Sequence, residues 1–504
     1  MNAVILAAGV GSRLRPLTDE KPKTMVEVNG VPMLGRIIGL LLRRPIQQVV
    51  VCTGYRADAI TSYCGEAFPS ERVTFVHNEL FDATNNMYSL YLAREYLRGG
   101  GLLMNADLCF DEAVIDVLLG QEGSAFAVDV GVYNDESMKV TAADGLVTAI
   151  AKTIGPDEAL GCSIDVYKFD GEGGALLVAE VEHVVEQERN LNDWTEVALD
   201  SLCRGGRLKP HAADVHGLRW AEIDNFDDLL DAELAFNERW DELRRRSVFF
   251  LDKDGTLALG ARPLRGAVEL TSWLGRRSDK EYFVLTNNSS RTPSAHVDGL
   301  RGSGLDVEQR NVIVSTDAAA RWLVQEGHNR VFWLATSDVG DDLEQRHGLR
   351  FDEEQPAAVL LTYDTTLTYD KLARAVRFLR EGLPYFATHR DLVCPTEDGP
   401  IPDIGTFIEL IRLTTGREPD MTFGKPDTLI IDGALESLGK SYDDAVVVGD
   451  RLYTDVALKD GTAMLSVLVL SGETDRVAYE RQDRRADIVV RDVAVLLEKL
   501  SSPV

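Results

Sequence analysis

This chain of 504 residues predicts an α/β protein built as two fused domains, and three observations carry the prediction. Apolar runs of strand length recur up to about residue 235, several of them separated by stretches of helical periodicity, the alternation that builds a sheet covered by helices. A charged helical stretch then ends in Arg244-Arg245-Arg246, and a new apolar run over residues 247–251 starts at once. Length is the third observation, because 504 residues exceed what one hydrophobic core supports and by themselves suggest about three lobes.

Taken in order, the strands of the first half are read at residues 3–8, 48–54, 73–78, 101–108, 125–132, 162–169 and 220–224, with a helix at 34–44. Residues 227–246 read as one polar helix whose basic end suits a helix C-terminus. The domains are therefore set at 1–235 and 247–504, with a connecting helix at 236–246 and no Gly/Ser-rich or Pro-rich linker. The formal net charge of −29 argues against a nucleic acid polymer or an anionic membrane as partner, since phosphate contacts need surplus Lys and Arg. Small anionic substrates must then be held by local positive groups and metal ions. Cys52, Cys64, Cys109, Cys162, Cys203 and Cys394 show no CxxC pair, which indicates neither a disulfide framework nor a zinc site and predicts small buried apolar residues. No segment resembles a signal peptide or approaches the ~18 apolar residues of a membrane span, so a cytoplasmic protein is expected. A homo-oligomer is compatible with all of this.

The first strand leads into Leu6-Ala7-Ala8-Gly9-Val10-Gly11-Ser12-Arg13-Leu14, then Pro16-Leu17-Thr18 and Lys21-Pro22-Lys23. Glycines after a buried strand let backbone N–H groups approach a polyphosphate, with Arg13 and Lys23 as countercharge. Leu6, Ala8, Gly9, Gly11, Ser12, Arg13 and Lys23 are the candidate nucleotide contacts, Arg13 and Lys23 also the candidate catalytic groups. Asp107 ends the run 102–107, where an open α/β sheet places ligands. Asp224 closes the run 220–224, and carboxylates are the hard ligands Mg²⁺ prefers. This ordered set resembles the sugar-phosphate nucleotidyltransferases, and the resemblance implies a Rossmann-like mixed sheet with Asp107 and Asp224 as metal ligands. Residues 78–90, including Thr84-Asn85-Asn86-Met87-Tyr88-Ser89, together with Asn192-Asp193-Trp194-Thr195-Glu196, look like the bacterial phosphocholine cytidylyltransferases and their 2-aminoethylphosphonate relatives. That likeness implies CTP, Mg²⁺ and a small phosphonate or phosphate acceptor bearing an amine. Asp82, Asn85, Tyr88, Lys152, Trp194 and Glu196 are the candidate acceptor contacts, with Trp220 and Asp193 as further members of an aromatic and acidic cage. Core packing is the competing role for the tryptophans. A hexose-1-phosphate nucleotidyltransferase using another base is the nearest alternative.

In the second half, Ser247-Val248-Phe249-Phe250-Leu251-Asp252-Lys253-Asp254-Gly255-Thr256 is an apolar strand running into DxDGT. Two carboxylates at this spacing suit a nucleophile, Asp252, and an acid then base, Asp254. Thr286 with Asn287, Lys425 in Gly424-Lys425-Pro426, and Gly449-Asp450 followed by Asp455 come next in order. These motifs resemble the haloacid dehalogenase superfamily. The resemblance implies a Rossmann-like core with an inserted α/β cap at about 293–424, an aspartyl-phosphate intermediate on Asp252, and Mg²⁺ held among Asp252, Asp254, Asp450 and Asp455. Thr286-Asn287-Asn288-Ser289-Ser290-Arg291, Ala387-Thr388-His389-Arg390-Asp391 and Leu470-Ser471-Gly472-Glu473-Thr474 narrow the likeness to the NagD-like and phosphoglycolate/glycerol-phosphate phosphatase branch, although His389 and Arg390 stand where that branch more often has Asn-Pro. Arg390 is a candidate for binding a second anionic group, against a plain surface basic pair. A bifunctional enzyme is the resulting expectation. The alternative from another class is a regulatory binding protein on degenerate enzyme folds, which would have no physical need for all of Arg13, Lys23, Asp107, Asp224, Asp252, Asp254, Lys425 and Asp450.

Overall fold

The structure, a computed structural model, describes residues 1–394 and 399–502. It divides into two compact units, Met1–Phe236 and Asn237–Val504.

The first unit is built on a nine-stranded mixed sheet. Asn2–Ala7 lies parallel between Gln48–Thr53 and Gly101–Asn105, and Val73–His77 extends that parallel edge. Gly161–Phe169 then reverses direction, pairing antiparallel with both Gly101–Asn105 and Ala125–Val130. His211–Asp214, Leu146–Ala151 and Lys139–Ala143 complete the sheet. Period-two alternation along these strands feeds two cores, one on each face. Ile5, Leu34, Ile38 and Val51 pack in one, and Val4, Leu6, Phe126 and Tyr167 in the other. The strand expected over 101–108 breaks at Ala106-Asp107. The chain leaves the main sheet there, and Leu108–Phe110 pairs antiparallel with Trp220–Glu222 in a separate two-stranded ladder.

The second unit has two sheets. Its core is six-stranded and wholly parallel, in the order Val312–Val314, Glu281–Thr286, Val248–Asp252, Ala445–Gly449, Leu465–Val469, Ile488–Val490. The second sheet orders Arg350–Phe351, Arg330–Leu334, Ala358–Leu361, Tyr385–Ala387 and Met421–Thr422, again all parallel. An inserted α/β cap is thus present, but it starts later than residue 293. Val312–Val314 belongs to the core sheet because its backbone completes the edge beside Glu281–Thr286.

The single helix expected over 227–246 is two helices, Phe226–Phe236 and Trp240–Arg245. Asn237 breaks it. Its Oδ1 accepts the Arg239 N–H at 2.8 Å and its Nδ2 donates to the Asp487 carbonyl at 2.9 Å, so its side chain satisfies backbone groups in a non-helical turn. No helix among the described residues is long and apolar enough to cross a membrane.

Candidate active sites

A cavity of about 410 Å³ in the first unit is lined by Leu6, Ala8, Gly9, Gly11, Ser12, Arg13 and Lys23 from the loop after the first strand. Asn85, Asp107, Lys152, Trp194, Glu196 and Asp224 line it as well. The site falls where Asn2–Ala7 has a neighbour on each side, the switch point at which parallel sheets open a crevice. Gly11 is required there. It has φ +71°, and a Cβ would stand 2.5 Å from Lys23 Cβ. The two-stranded ladder joins the two aspartates that the sequence places 117 residues apart: Glu222 pairs with Leu108, and the Ile223 N–H donates to the Asp107 carbonyl at 2.9 Å.

Lys23 Nζ donates to Asp107 Oδ2 at 2.7 Å and to Asp224 Oδ1 at 2.6 Å, and Arg13 Nη2 lies 2.7 Å from the same Asp224 oxygen. Burial opposes the Lys23 charge, but the two carboxylates outweigh it and raise its pKa. Burial likewise opposes the Asp224 charge, and here Lys23 and Arg13 outweigh it and hold the carboxyl below its ordinary value.

Three acidic residues of this cavity, Glu136, Asp165 and Glu222, were not singled out in the sequence. Glu222 is pushed up to about 8 by burial and then by Asp165 and Asp107. It stands two residues before Asp224 on a strand, so alternation alone would have put it on the same face. Asp165 gives a weaker signal, one acid inside an apolar strand. The register of that strand with Ala125–Val130 shifts between Ser163 and Tyr167, and Asp165 adopts φ +54°, a left-handed conformation that costs about 1–2 kcal/mol and that Asp tolerates better than most residues. Its carboxylate accepts from Tyr167 Oη at 2.9 Å and from Asn105 Nδ2 at 3.1 Å, while burial and then Glu196 push its pKa to about 8.

Some expected acceptor contacts lie elsewhere. Asp82 is exposed and outside the cavity wall. Tyr88 stacks on Tyr91, ring centroids 5.8 Å apart, because the helix Asn86–Ala93 presents Asn86 and Ser89 on its cavity face and turns Tyr88 away. Trp220 donates from Nε1 to Asp129 Oδ2 at 2.8 Å, and Asp193 accepts from Asn190 Nδ2 at 2.8 Å; neither lines the cavity. Trp194 remains, with Lys152 Nζ 5.1 Å from its ring centre.

In the second unit Asp252 ends the central strand, Thr286 ends its neighbour on one side, and Asp450 follows its neighbour on the other. Asp252, Asp254, Thr286, Asn287 and Lys425 line a small cavity of about 30 Å³. Lys425 Nζ hydrogen-bonds to Asp252 Oδ1, and to Asp455 Oδ1 at 2.6 Å. Asn287 pins the Lys425 backbone, its Oδ1 accepting the Lys425 N–H at 2.8 Å and its Nδ2 donating to the carbonyl at 3.2 Å. Burial, against which Lys425 only partly works, holds Asp252 well above the carboxylate range, with Asp455, Asp450 and Asp254 adding like-charge repulsion. Asp450 is pushed up to about 7 by burial and then by Asp455. Gly255, at φ +91°, lets the DxDGT turn pass this cluster, since a Cβ would sit 2.2 Å from Asp450 Oδ2.

Both carboxylate groups suit a hard divalent cation. Asp107, Glu222 and Asp224 offer oxygens within 4.8 Å of one another, as do Asp252, Asp450 and Asp455. Asp107 Oδ1, Asp252 Oδ2 and Asp450 Oδ1 are buried with no hydrogen-bond partner, the condition a cation would relieve. The Asp254 carboxylate is not part of this cluster, for it lies 2.8 Å from Lys253 Nζ. Both Asp455 oxygens are engaged, one by Lys425 and one by the Arg451 N–H at 3.1 Å. Arg390 is exposed and paired with Glu418 at 3.4 Å, away from the cavity wall, which instead carries Asp391 and Asp403. The expected burial of the cysteines holds for all but Cys394, which is half-buried and lines this cavity.

Fold and sites thus define an α/β protein with two separate phosphate-handling centres. Residues 3–161 match the MobA-like NTP transferase domain, residues 249–348 the haloacid dehalogenase-like hydrolases, and residues 422–496 a second model of that hydrolase type. The first unit therefore carries a MobA-like NTP transferase domain, and the second a haloacid dehalogenase-like hydrolase domain. The chain is 29% identical over 229 residues to the 5'-nucleotidase YutF of Bacillus subtilis, covering 45% of this chain and 88% of the relative. It is 27% identical over 253 residues to an acid sugar phosphatase of Staphylococcus haemolyticus, covering 50% of this chain and 95% of the relative. A solved 4-nitrophenylphosphatase from Thermotoga maritima aligns at 37% identity and TM-score 0.49, over 51% of this chain and 98% of its own.

Proposed function

We propose that the chain is a bifunctional enzyme of the cytoplasm, a CTP-dependent cytidylyltransferase joined to an Mg²⁺-dependent phosphatase. One observation carries the first half: the nucleotide loop, Lys23, Arg13 and the Asp107–Asp224 pair share a single cavity. Transfer is an in-line attack of an acceptor oxygen on the α-phosphorus with pyrophosphate leaving, and it needs positioning and charge neutralisation more than covalent chemistry. Lys23 and Arg13 supply the countercharge, and the loop 8–12 the backbone wall. Asp107, Asp224 and Glu222 would hold a divalent cation in this unit, and Asp252 with Asp450 in the other; when bound, such an ion neutralises phosphate oxygens.

In the phosphatase, the Asp252 carboxylate attacks phosphorus and the ester P–O bond breaks as Asp254 gives its proton to the leaving oxygen. Asp254 then takes a proton from water, which attacks the aspartyl-phosphate and frees phosphate. Lys425 offsets part of the Asp252 charge. A tethered phosphatase would waste an acceptor that was itself a phosphate ester. A phosphonate escapes, because cleaving its carbon–phosphorus bond would expel a carbanion that Asp254 cannot stabilise by protonating an oxygen. This favours an acceptor of the 2-aminoethylphosphonate type over phosphocholine.

The test is pyrophosphate release from CTP, UTP, GTP and dTTP, each with 2-aminoethylphosphonate, phosphocholine and a hexose 1-phosphate, in the presence of Mg²⁺. CTP with 2-aminoethylphosphonate is expected to give the highest kcat/KM. Equal use of the four nucleotides would reject the cytidylyl reading, and preference for the hexose phosphate would favour a sugar nucleotidyltransferase.

A further inference from the structure

The phosphatase cavity has a second wall that the reaction above does not use. Asp391, Val393, Cys394 and Asp403, from the segment between the cap strand Tyr385–Ala387 and the helix Ile404–Thr415, line the same space as Asp252 and Lys425. Two of these four are carboxylates. Among the described residues the cation on that side, Arg451, is already engaged, 2.8 Å from Glu473 Oε2 and 3.8 Å from Asp391 Oδ2.

Behind the two acids sits His389, whose side chain is fully buried. Its Nδ1 accepts the Asp391 N–H at 3.3 Å, which leaves the ring hydrogen on Nε2. That Nε2 has no hydrogen-bond partner and faces Asp403 Oδ1 at 3.7 Å, while Asp391 Oδ2 lies 3.5 Å from Nδ1. The carboxylates approach opposite ring nitrogens, and each of the three residues offers a ligand atom within 4.8 Å of the others. The ring is a spacer between two acids. Its buried, unsatisfied N–H is affordable only where a neighbouring acceptor is drawn to it, and Asp403 is the acceptor at hand.

We propose that Asp391 and Asp403 recognise the alcohol part of the phosphate ester, with His389 as the positioning residue that sets their spacing, and that the preferred ester carries an ammonium group there. Carboxylates attract a cation, accept hydrogen bonds from neutral hydroxyls more weakly, and repel a carboxylate. The proposal rests on the phosphatase reading of this unit and not on the transferase.

The full chain loaded with Mg²⁺ is assayed on 4-nitrophenyl phosphate, phosphoethanolamine, glycerol 3-phosphate and phosphoglycolate. The expected order of kcat/KM is phosphoethanolamine, then glycerol 3-phosphate, then phosphoglycolate, with about tenfold or more between first and last, the effect of roughly one well-placed charge. Asp403→Asn is expected to shrink that ratio at least severalfold. His389→Leu should raise KM for phosphoethanolamine while kcat holds, and His389→Asn, which keeps a hydrogen-bonding amide, should recover much of the loss. Phosphoglycolate used as well as phosphoethanolamine by the unmodified chain would overturn the proposal, as would an unchanged ratio in a folded Asp403→Asn variant. No hydrolysis of 4-nitrophenyl phosphate would instead overturn the phosphatase reading and the proposal with it.

Discussion

Both units use a lysine to bridge two aspartates, yet the aspartates respond in opposite directions. Asp224, beside Lys23 and Arg13 at a wide cavity, is held below its ordinary pKa. Asp252, beside Lys425, is held well above it. The lysine contacts are nearly the same, 2.6 Å from Lys23 to Asp224 and 2.6 Å from Lys425 to Asp455. What differs is the surroundings. The Lys425 side chain is 4% exposed and that of Lys23 13%, and three further carboxylates crowd Asp252, whereas Asp224 shares two cations. One ammonium can carry an ion pair near solvent, but it cannot by itself neutralise a buried acidic cluster.

The sharpest way to break the comparison is to remove one nucleophile. Asp252→Asn is expected to lower phosphatase kcat by at least about a thousandfold, as loss of a covalent nucleophile does, while pyrophosphate release by the first unit stays within about twofold. Loss of both activities in a chain whose circular dichroism is unchanged would show that the two centres are not separable. The lysines come next. Lys425→Met leaves a buried acidic cluster uncompensated and should cost about 3–5 kcal/mol of stability in urea unfolding, whereas Lys23→Met should cost about 1 kcal/mol or less in stability and show its main effect, about 3 kcal/mol, in transferase kcat/KM. Equal stability losses would mean that the difference in burial does not govern the two bridges.

A third effect is set by pH. His296 is buried beside the phosphatase loop, its Nε2 2.9 Å from the Asn288 carbonyl oxygen, and burial followed by the nearby Lys253 charge lowers its pKa to about 4. The unfolded chain takes up this proton near pH 6.5 and the folded chain only near 4, so its stabilising contribution is complete above pH 6.5 and is lost as pH falls towards 4. The loss should approach about 2–3 kcal/mol, and His296→Gln should flatten that part of the stability profile measured between pH 7 and pH 4. An unchanged profile in the variant would assign the acid sensitivity to the carboxylate clusters instead.

Much of both centres was legible because the residues proposed to hold phosphate sit in short contiguous motifs directly after apolar strands. Leu6 to Arg13 and Asp252 to Gly255 are local in sequence, and strand periodicity already places them at the carboxyl ends of a sheet. Misplacements arose where a helix or turn decided which way a side chain faces. Tyr88 and Asn86 are two residues apart, and only the helical phase shows that Asn86 faces the cavity while Tyr88 stacks on Tyr91. Trp220 carries the same aromatic signal as Trp194, but it is tied to Asp129 and does not line the cavity.

The sequence by itself determined two α/β units, the nucleotide loop, the DxDGT turn and the lysines and aspartates that accompany them, because each is encoded by residues close together or by strand alternation. The tertiary structure alone decided that Glu222 and Asp165 join Asp107 and Asp224 in one acidic cavity, and that Asp391 and Asp403, rather than Arg390, form the second wall of the phosphatase centre. The physical reason is that these groups meet only through long-range strand pairing, a register shift and a buried histidine, and the charge each carries depends on which neighbours that pairing brings within a few ångströms.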